Sequence, residues 1–100
     1  MSYSLTSLGN GRFELNGQLD VSNVGMALFG GQNEFAQHDT ISINLAGANC
    51  ASTAGMALLL EWSTWCKHNE KQLLYTAVPS RLVDLARLND VQQLLRFAAG

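Results

Sequence analysis

Two hydroxyl side chains, Ser52 and Thr53, stand together in the run Cys50-Ala51-Ser52-Thr53-Ala54-Gly55-Met56, among small neighbours and just ahead of a long apolar stretch. Hydroxyls so placed have two readings. They can accept hydrogen bonds from the unpartnered N–H groups that open a helix, or they can mark a functional tip presented at the edge of the domain. The other reactive side chains form no constellation. His38 and His68 fall in polar, turn-like surroundings and read as solvated surface residues. Cys66-Lys67-His68 sets a sulfur and an imidazole two residues apart, which on a helix is not one face. Zinc also wants three or four ligands at recognised spacings. Gly9-Asn10-Gly11 and Gly30-Gly31 lack the flanks of a phosphate loop, and the eight carboxylates show no pairing. The expectation is a chain without catalysis, cofactor or metal.

The elements that position the tip follow from hydrophobic spacing. Ile41, Ile43 and Leu45 alternate with Ser42 and Asn44, as in a strand with one buried face. Small residues from Ala46 to Ser52 form a turn. A helix from about Ala54 to His68 then carries Leu58, Leu59, Trp62, Trp65 and Cys66 on one stripe. Upstream, Tyr3 to Leu8 reads as a first strand and Arg12 to Leu15 as a second, closed by Asn16-Gly17. Asn10-Gly11 joins them as a hairpin turn that needs positive φ at both residues. Ser22 to Phe29 has helical spacing in Val21, Val24, Ala27 and Leu28, with Asp20 or Ser22 as N-cap and Gly30-Gly31 as the stop. Phe29 is either core or an exposed anchor, and Gln32 to Asp39 is either helix or loop.

Beyond a charged turn at Lys67 to Lys71, Leu73 to Val78 suits a strand buried on both faces. Pro79-Ser80 opens a helix with Leu82, Leu85, Ala86 and Leu88 as its stripe. Val91, Leu94, Leu95 and Ala98 mark a last helix, with Asp90 and Gln93 as a capping box. The order β-β-α-β-α-β-α-α implies one α/β domain over residues 1–100. Its sheet is mixed, of about four strands, with helices packed on it.

Composition narrows the partners. Hydrophobic residues make up 47% of the chain and charged ones 14%, against roughly 25% charged in ordinary soluble proteins. Surface of low charge is therefore left for a protein partner to cover. The net charge is −2 and the six Lys and Arg residues are scattered, which excludes a nucleic-acid stripe. No apolar run reaches about 18 residues and no basic, apolar leader opens the chain, so neither export nor direct membrane insertion is expected. A disulfide between Cys50 and Cys66 is conceivable, but two buried thiols in a reducing cytosol is the expected state.

Three segments resemble the STAS family, the sulfate-transporter and anti-sigma-factor-antagonist domains. They are Gly17-Gln18-Leu19-Asp20, the strand Ile41 to Leu45, and Ser52-Thr53-Ala54-Gly55-Met56-Ala57-Leu58-Leu59-Leu60. The resemblance implies a STAS-like fold with the tip as its binding site and Thr53 at the phosphorylatable position. Ser52 stands where the family carries an Asp, and Asn44 replaces the Asp common at the end of the central strand. Within the family the chain is most similar to the MlaB-like group, the small stand-alone STAS subunits of Mla-type phospholipid ABC transporters. The late segment Leu82-Val83-Asp84-Leu85-Ala86-Arg87-Leu88 carries that likeness. This implies a non-catalytic subunit, cytoplasmic and peripheral to the inner membrane, that binds the transporter's ATPase and supports phospholipid trafficking and outer-membrane lipid asymmetry. Ser52, Thr53, Ala54, Gly55, Met56 and Phe29 would make the contact. The alternative branch implies an anti-sigma factor antagonist whose affinity for a kinase-like partner is set by phosphorylation at Thr53. The missing acidic residue favours the transporter branch.

Overall fold

The hairpin signal is where the chain first commits. Asn10 and Gly11 take φ of 57° and 78°, and the reversal pairs β1 (Tyr3–Gly9) antiparallel with β2 (Arg12–Gln18). The computed structural model describes residues 2–91, 94 and 95. Asn16-Gly17 does not end β2 as expected. Gly17 sits within the strand at φ 96°, and a side chain there would run into the Ser2 carbonyl. The glycine serves close strand packing rather than a break.

After β2 come α1 (Val24–Phe35), β3 (Thr40–Asn44), β4 (Ala48–Asn49), α2 (Thr53–His68), β5 (Gln72–Thr76) and α3 (Ser80–Leu88). The sheet runs β1-β2-β3-β5, with the short β4 also on β2. β2 is parallel to β3 and to β4, and β3 is parallel to β5. This is the expected mixed sheet with helices between its parallel strands. The added β4 lies inside the small-residue turn.

One sheet face forms the core. Phe13, Ile43 and Tyr75 are in register across β2, β3 and β5 and are fully covered. The neighbouring row, Arg12, Ser42 and Leu74, points the other way. Leu74 is 38% exposed, so β5 is not buried on both faces. Its apolar run alternates in the structure because the helical layer covers one side. Tyr75 donates its hydroxyl to the Leu59 carbonyl at 2.7 Å, tying β5 to α2.

α1 is longer than its sequence suggested and runs through Gly30-Gly31. Gly31 meets α2 so closely that a Cβ there would lie 2.5–2.7 Å from the Trp62 indole. Trp62 is fully buried, donates Nε1–H to the Leu28 carbonyl at 3.2 Å and packs edge-on to Phe35, whose ring packs edge-on to Phe13. Neither Asp20 nor Ser22 caps α1. Asn23 occupies that place, its amide donating back to the Gln18 carbonyl, while the Asp20 carboxylate accepts from the Ser22 N–H and hydroxyl. Those bonds hold the Asp20 carboxyl below its ordinary pKa.

In α3, Leu82 and Ala86 are buried, but Leu88 is 84% exposed and not part of the inward stripe. The last helix expected from Val91 to Ala98, with its Asp90–Gln93 capping box, falls largely outside the described residues.

Candidate functional site

The tip is built by the end of β3 and the excursion into β4. Asn44 Oδ1 accepts from the Ala46 N–H at 2.8 Å, which turns the chain as an Asp carboxylate could in its place. β4 then lies beside Gly17 and Gln18, and Asn49 donates to Gln18 Oε1 at 2.6 Å. The segment Gly17 to Asp20 thus braces the tip from below. Cys50 is buried behind it. Its thiol pKa is pushed up to about 11 by burial, so it stays protonated and inert at neutral pH.

Ser52 is extended, at φ −147° and ψ 166°, and its Oγ accepts the Gly55 N–H at 3.0 Å. It is the N-cap of α2, and it supplies the oxygen that an Asp in that position would supply. Thr53 is therefore the first helical residue. Its side chain is exposed, while Ser52 and Ala54 are half-buried. Gly55 and Met56 are buried beneath them. A side chain at Gly55 would fall on the Cys50 carbonyl, so this glycine lets the helix start directly against the tip loop. Gly55 and Met56 shape the tip from inside, and Thr53 is what it presents.

Beside the tip, α1 and α2 leave an apolar groove of about 400 Å³. Val21, Val24, Gly25 and Leu28 form one wall, and Ala54, Ala57, Leu58 and Glu61 form the other. Val21, expected on the inward stripe of α1, lies ahead of the helix and is 86% exposed. Hydrophobic spacing assigns half of these residues, Val21, Val24, Leu28 and Leu58, to the core. The available signal was the matched i, i+3, i+4, i+7 series, 21-24-25-28 against 54-57-58-61, with small residues at Gly25, Ala54 and Ala57.

Phe29 is 66% exposed, so the reading as core does not hold. It follows Leu28 on α1 but does not line the groove. Of the histidines, His68 is exposed, whereas His38 is half-buried with its ring edge-on to Phe13. Lys71 Nζ donates to the carbonyls of Ala36 and His38, which ties the α1–β3 loop to the start of β5. Cys66 is buried on α2, and its thiol is also raised to about 11 by burial. Both cysteines are free. Among the described residues no helix is long and apolar enough to cross a membrane.

No protein-family model and no curated protein matches this sequence. Solved structures do match it in shape. The anti-sigma factor antagonist SpoIIAA in its unphosphorylated form superposes with a TM-score of 0.72 at 13% identity, covering 98% of this chain and 89% of that one. The phosphorylated form of SpoIIAA, a Bacillus cell fate determinant, gives 0.68 at 12% identity, with 98% and 92% covered. The protein TM1081, solved by NMR, gives 0.75 at 11% identity, with 96% and 78% covered. The chain has the STAS fold, the architecture of the anti-sigma factor antagonist SpoIIAA.

Proposed function

We propose that the chain is a single, non-catalytic STAS domain that docks a protein partner through the start of α2 and the groove beside it. Its function on this reading is that of an anti-sigma factor antagonist, with affinity for a kinase-like partner set by phosphorylation of Thr53. The observation that carries the reading is the division of labour at the tip. Ser52 spends its hydroxyl on the Gly55 N–H, and the adjacent Thr53 is exposed at the first helical position. A phosphoryl group on Thr53 would sit at the positive end of the α2 dipole, which favours it. It would also place about two negative charges beside an apolar groove, which opposes docking of an apolar face. The likeness to SpoIIAA, solved in unphosphorylated and phosphorylated forms, supports a domain of this fold switched by phosphorylation.

A second reading has its own support. Ser52 in place of an Asp, and the segment Leu82 to Leu88, favour a subunit of an Mla-type phospholipid transporter that binds the ATPase through the same tip, at the cytoplasmic side of the inner membrane. The experiment offers the purified protein to an anti-sigma factor kinase with ATP and, separately, to an Mla-type ATPase. One phosphoryl group mapped by mass spectrometry to Thr53, and absent from Thr53→Ala, is the expected result. Capture of the ATPase with no phosphorylation would establish the second reading instead.

A further inference from the structure

We propose that β1 and the flank of α1 above it form a two-fold interface through which two copies of this chain join their sheets. Among the described residues β1 pairs only with β2, so its outer edge is open. The ladder determines which groups point outward. Gly17 donates its N–H to Gly47, and Gln18 donates to the Ser2 carbonyl. In the alternating antiparallel pattern, the backbone groups of Ser2, Ser4 and Thr6 therefore face β2, and those of Tyr3, Leu5 and Ser7 face out. Proteins usually guard such an edge with a charge, a proline or a short strand. β1 is seven residues long, Tyr-Ser-Leu-Thr-Ser-Leu-Gly, with neither charge nor proline. Its one irregularity lies between Ser7 and Gly9, at the hairpin end, and leaves Tyr3 to Ser7 in regular register.

The helix above continues the surface. Ala27, Gly31 and Phe35 turn inward, and Val24 and Leu28 face the groove with α2. Helical spacing puts Met26 and Gly30, four residues apart, on the side toward β1, and Phe29 on the outward crest of the helix. Gly30 lies over β1, since a Cβ there would be 3.9 Å from the Tyr3 hydroxyl. Met26 is 72% exposed, Phe29 66% and Leu8 44%. Tyr3 and Leu5 sit half-buried at the rim of the core.

A second copy is the occupant this surface fits. Antiparallel pairing about a dyad at Leu5 lets Leu5 exchange both backbone bonds with its mate, and Tyr3 do so with Ser7 on each side. The two Leu5 side chains then meet under the helices, and no charge on β1 opposes its own copy. The charged residue of α1 is Glu34, near the end away from Met26, so antiparallel helices keep the two carboxylates apart. With about 200 Å² for a whole large side chain, Met26 and Leu8 expose roughly 230 Å² per copy. That is over a quarter of the roughly 800 Å² each partner buries in a standard interface. Tyr3, Leu5 and the strand edge add to it. Thr53 and the groove lie on the opposite flank of α1 and stay free.

The test is sedimentation equilibrium of the full chain across micromolar concentrations. The wild type should form dimers. In this register Ser4 faces Thr6 of the other copy on the open sheet face. Ser4→Lys with Thr6→Lys should weaken the dimer at least tenfold, while Ser4→Glu with Thr6→Lys should restore it by pairing opposite charges across the dyad. In both variants the lysine that replaces Thr6 stands opposite Glu14 of the same chain, so circular dichroism should show both folded. A wild type that stays monomeric at several hundred micromolar, or a dimer indifferent to these pairs, would overturn the proposal.

Discussion

Gly31→Ala isolates the contact that sets α1 against α2. Within a helix, Gly→Ala ordinarily stabilises by roughly 0.5–1 kcal/mol. Gly25→Ala should do so, because a Cβ there meets nothing within 4 Å. At Gly31 the same Cβ would lie 2.5–2.7 Å from Nε1, Cε2 and Cζ2 of Trp62. The indole cannot swing aside freely, being fully buried, bonded to the Leu28 carbonyl and wedged against Phe35. Overpacking of this kind costs about 1–3 kcal/mol. If the indole shifts far enough to lose its bond, the orphaned donor adds about 1–3 kcal/mol. The helix gain is common to both positions and cancels, so the two substitutions should differ by about 1–3 kcal/mol, and by more if that bond is lost. Urea unfolding followed by tryptophan fluorescence reads that gap directly. Thermal midpoints should separate by at least about 4 °C, at about 4–8 °C per kcal/mol for a domain of this size. A gap under about 0.5 kcal/mol would refute the argument that Gly31 exists for Trp62.

Two further outcomes follow from the tip and the buried thiols. Ser52→Ala should cost about 0.5–2 kcal/mol in urea unfolding, whereas Ser52→Asp should hold stability, since either oxygen accepts the Gly55 N–H. Equal loss in both would mean the cap bond contributes nothing. Cys50 and Cys66 are both raised from 9.0 to about 11 by burial. Unfolded thiols lose protons first, so the stabilisation they give is intact below about pH 9 and falls as pH rises to about 11. The pH slope of unfolding free energy across that window should be shallower in Cys50→Ala with Cys66→Ala, and an unchanged slope would contradict the assignment.

What the sequence disclosed depended on how local each cause was. The hairpin at Asn10-Gly11, the alternation of Ile41 to Leu45 and the stripe of α2 are all decided by neighbours along the chain, and each stands in the structure. The start of α2 was legible because the helix needs a hydroxyl there. The continuation of α1 through Gly30-Gly31 was not, because its reason is an indole on another helix. Local propensity reads two glycines as a stop, and tertiary packing overrides it. β4 escaped notice for a similar reason: two residues in a small polar segment carry no periodicity, and only pairing with Gly17 and Gln18 makes them a strand. An apolar run such as Leu73 to Val78 does not say how many sheet faces are covered, and Leu74 shows that the helices cover one. At the candidate site the capping hydroxyl was readable from type and spacing. Which of the two hydroxyls is free became clear only with the bond from Ser52 to Gly55.

The account turns on Thr53 as a switch at the mouth of a docking surface, and one titration tests it most directly. The kinase-like partner is titrated by calorimetry against the unmodified protein and against the same protein phosphorylated at Thr53, with matching circular dichroism. The account predicts at least tenfold weaker binding of the phosphorylated form, because charge is added beside an apolar groove while the fold is kept. Equal affinity for the two forms would contradict it.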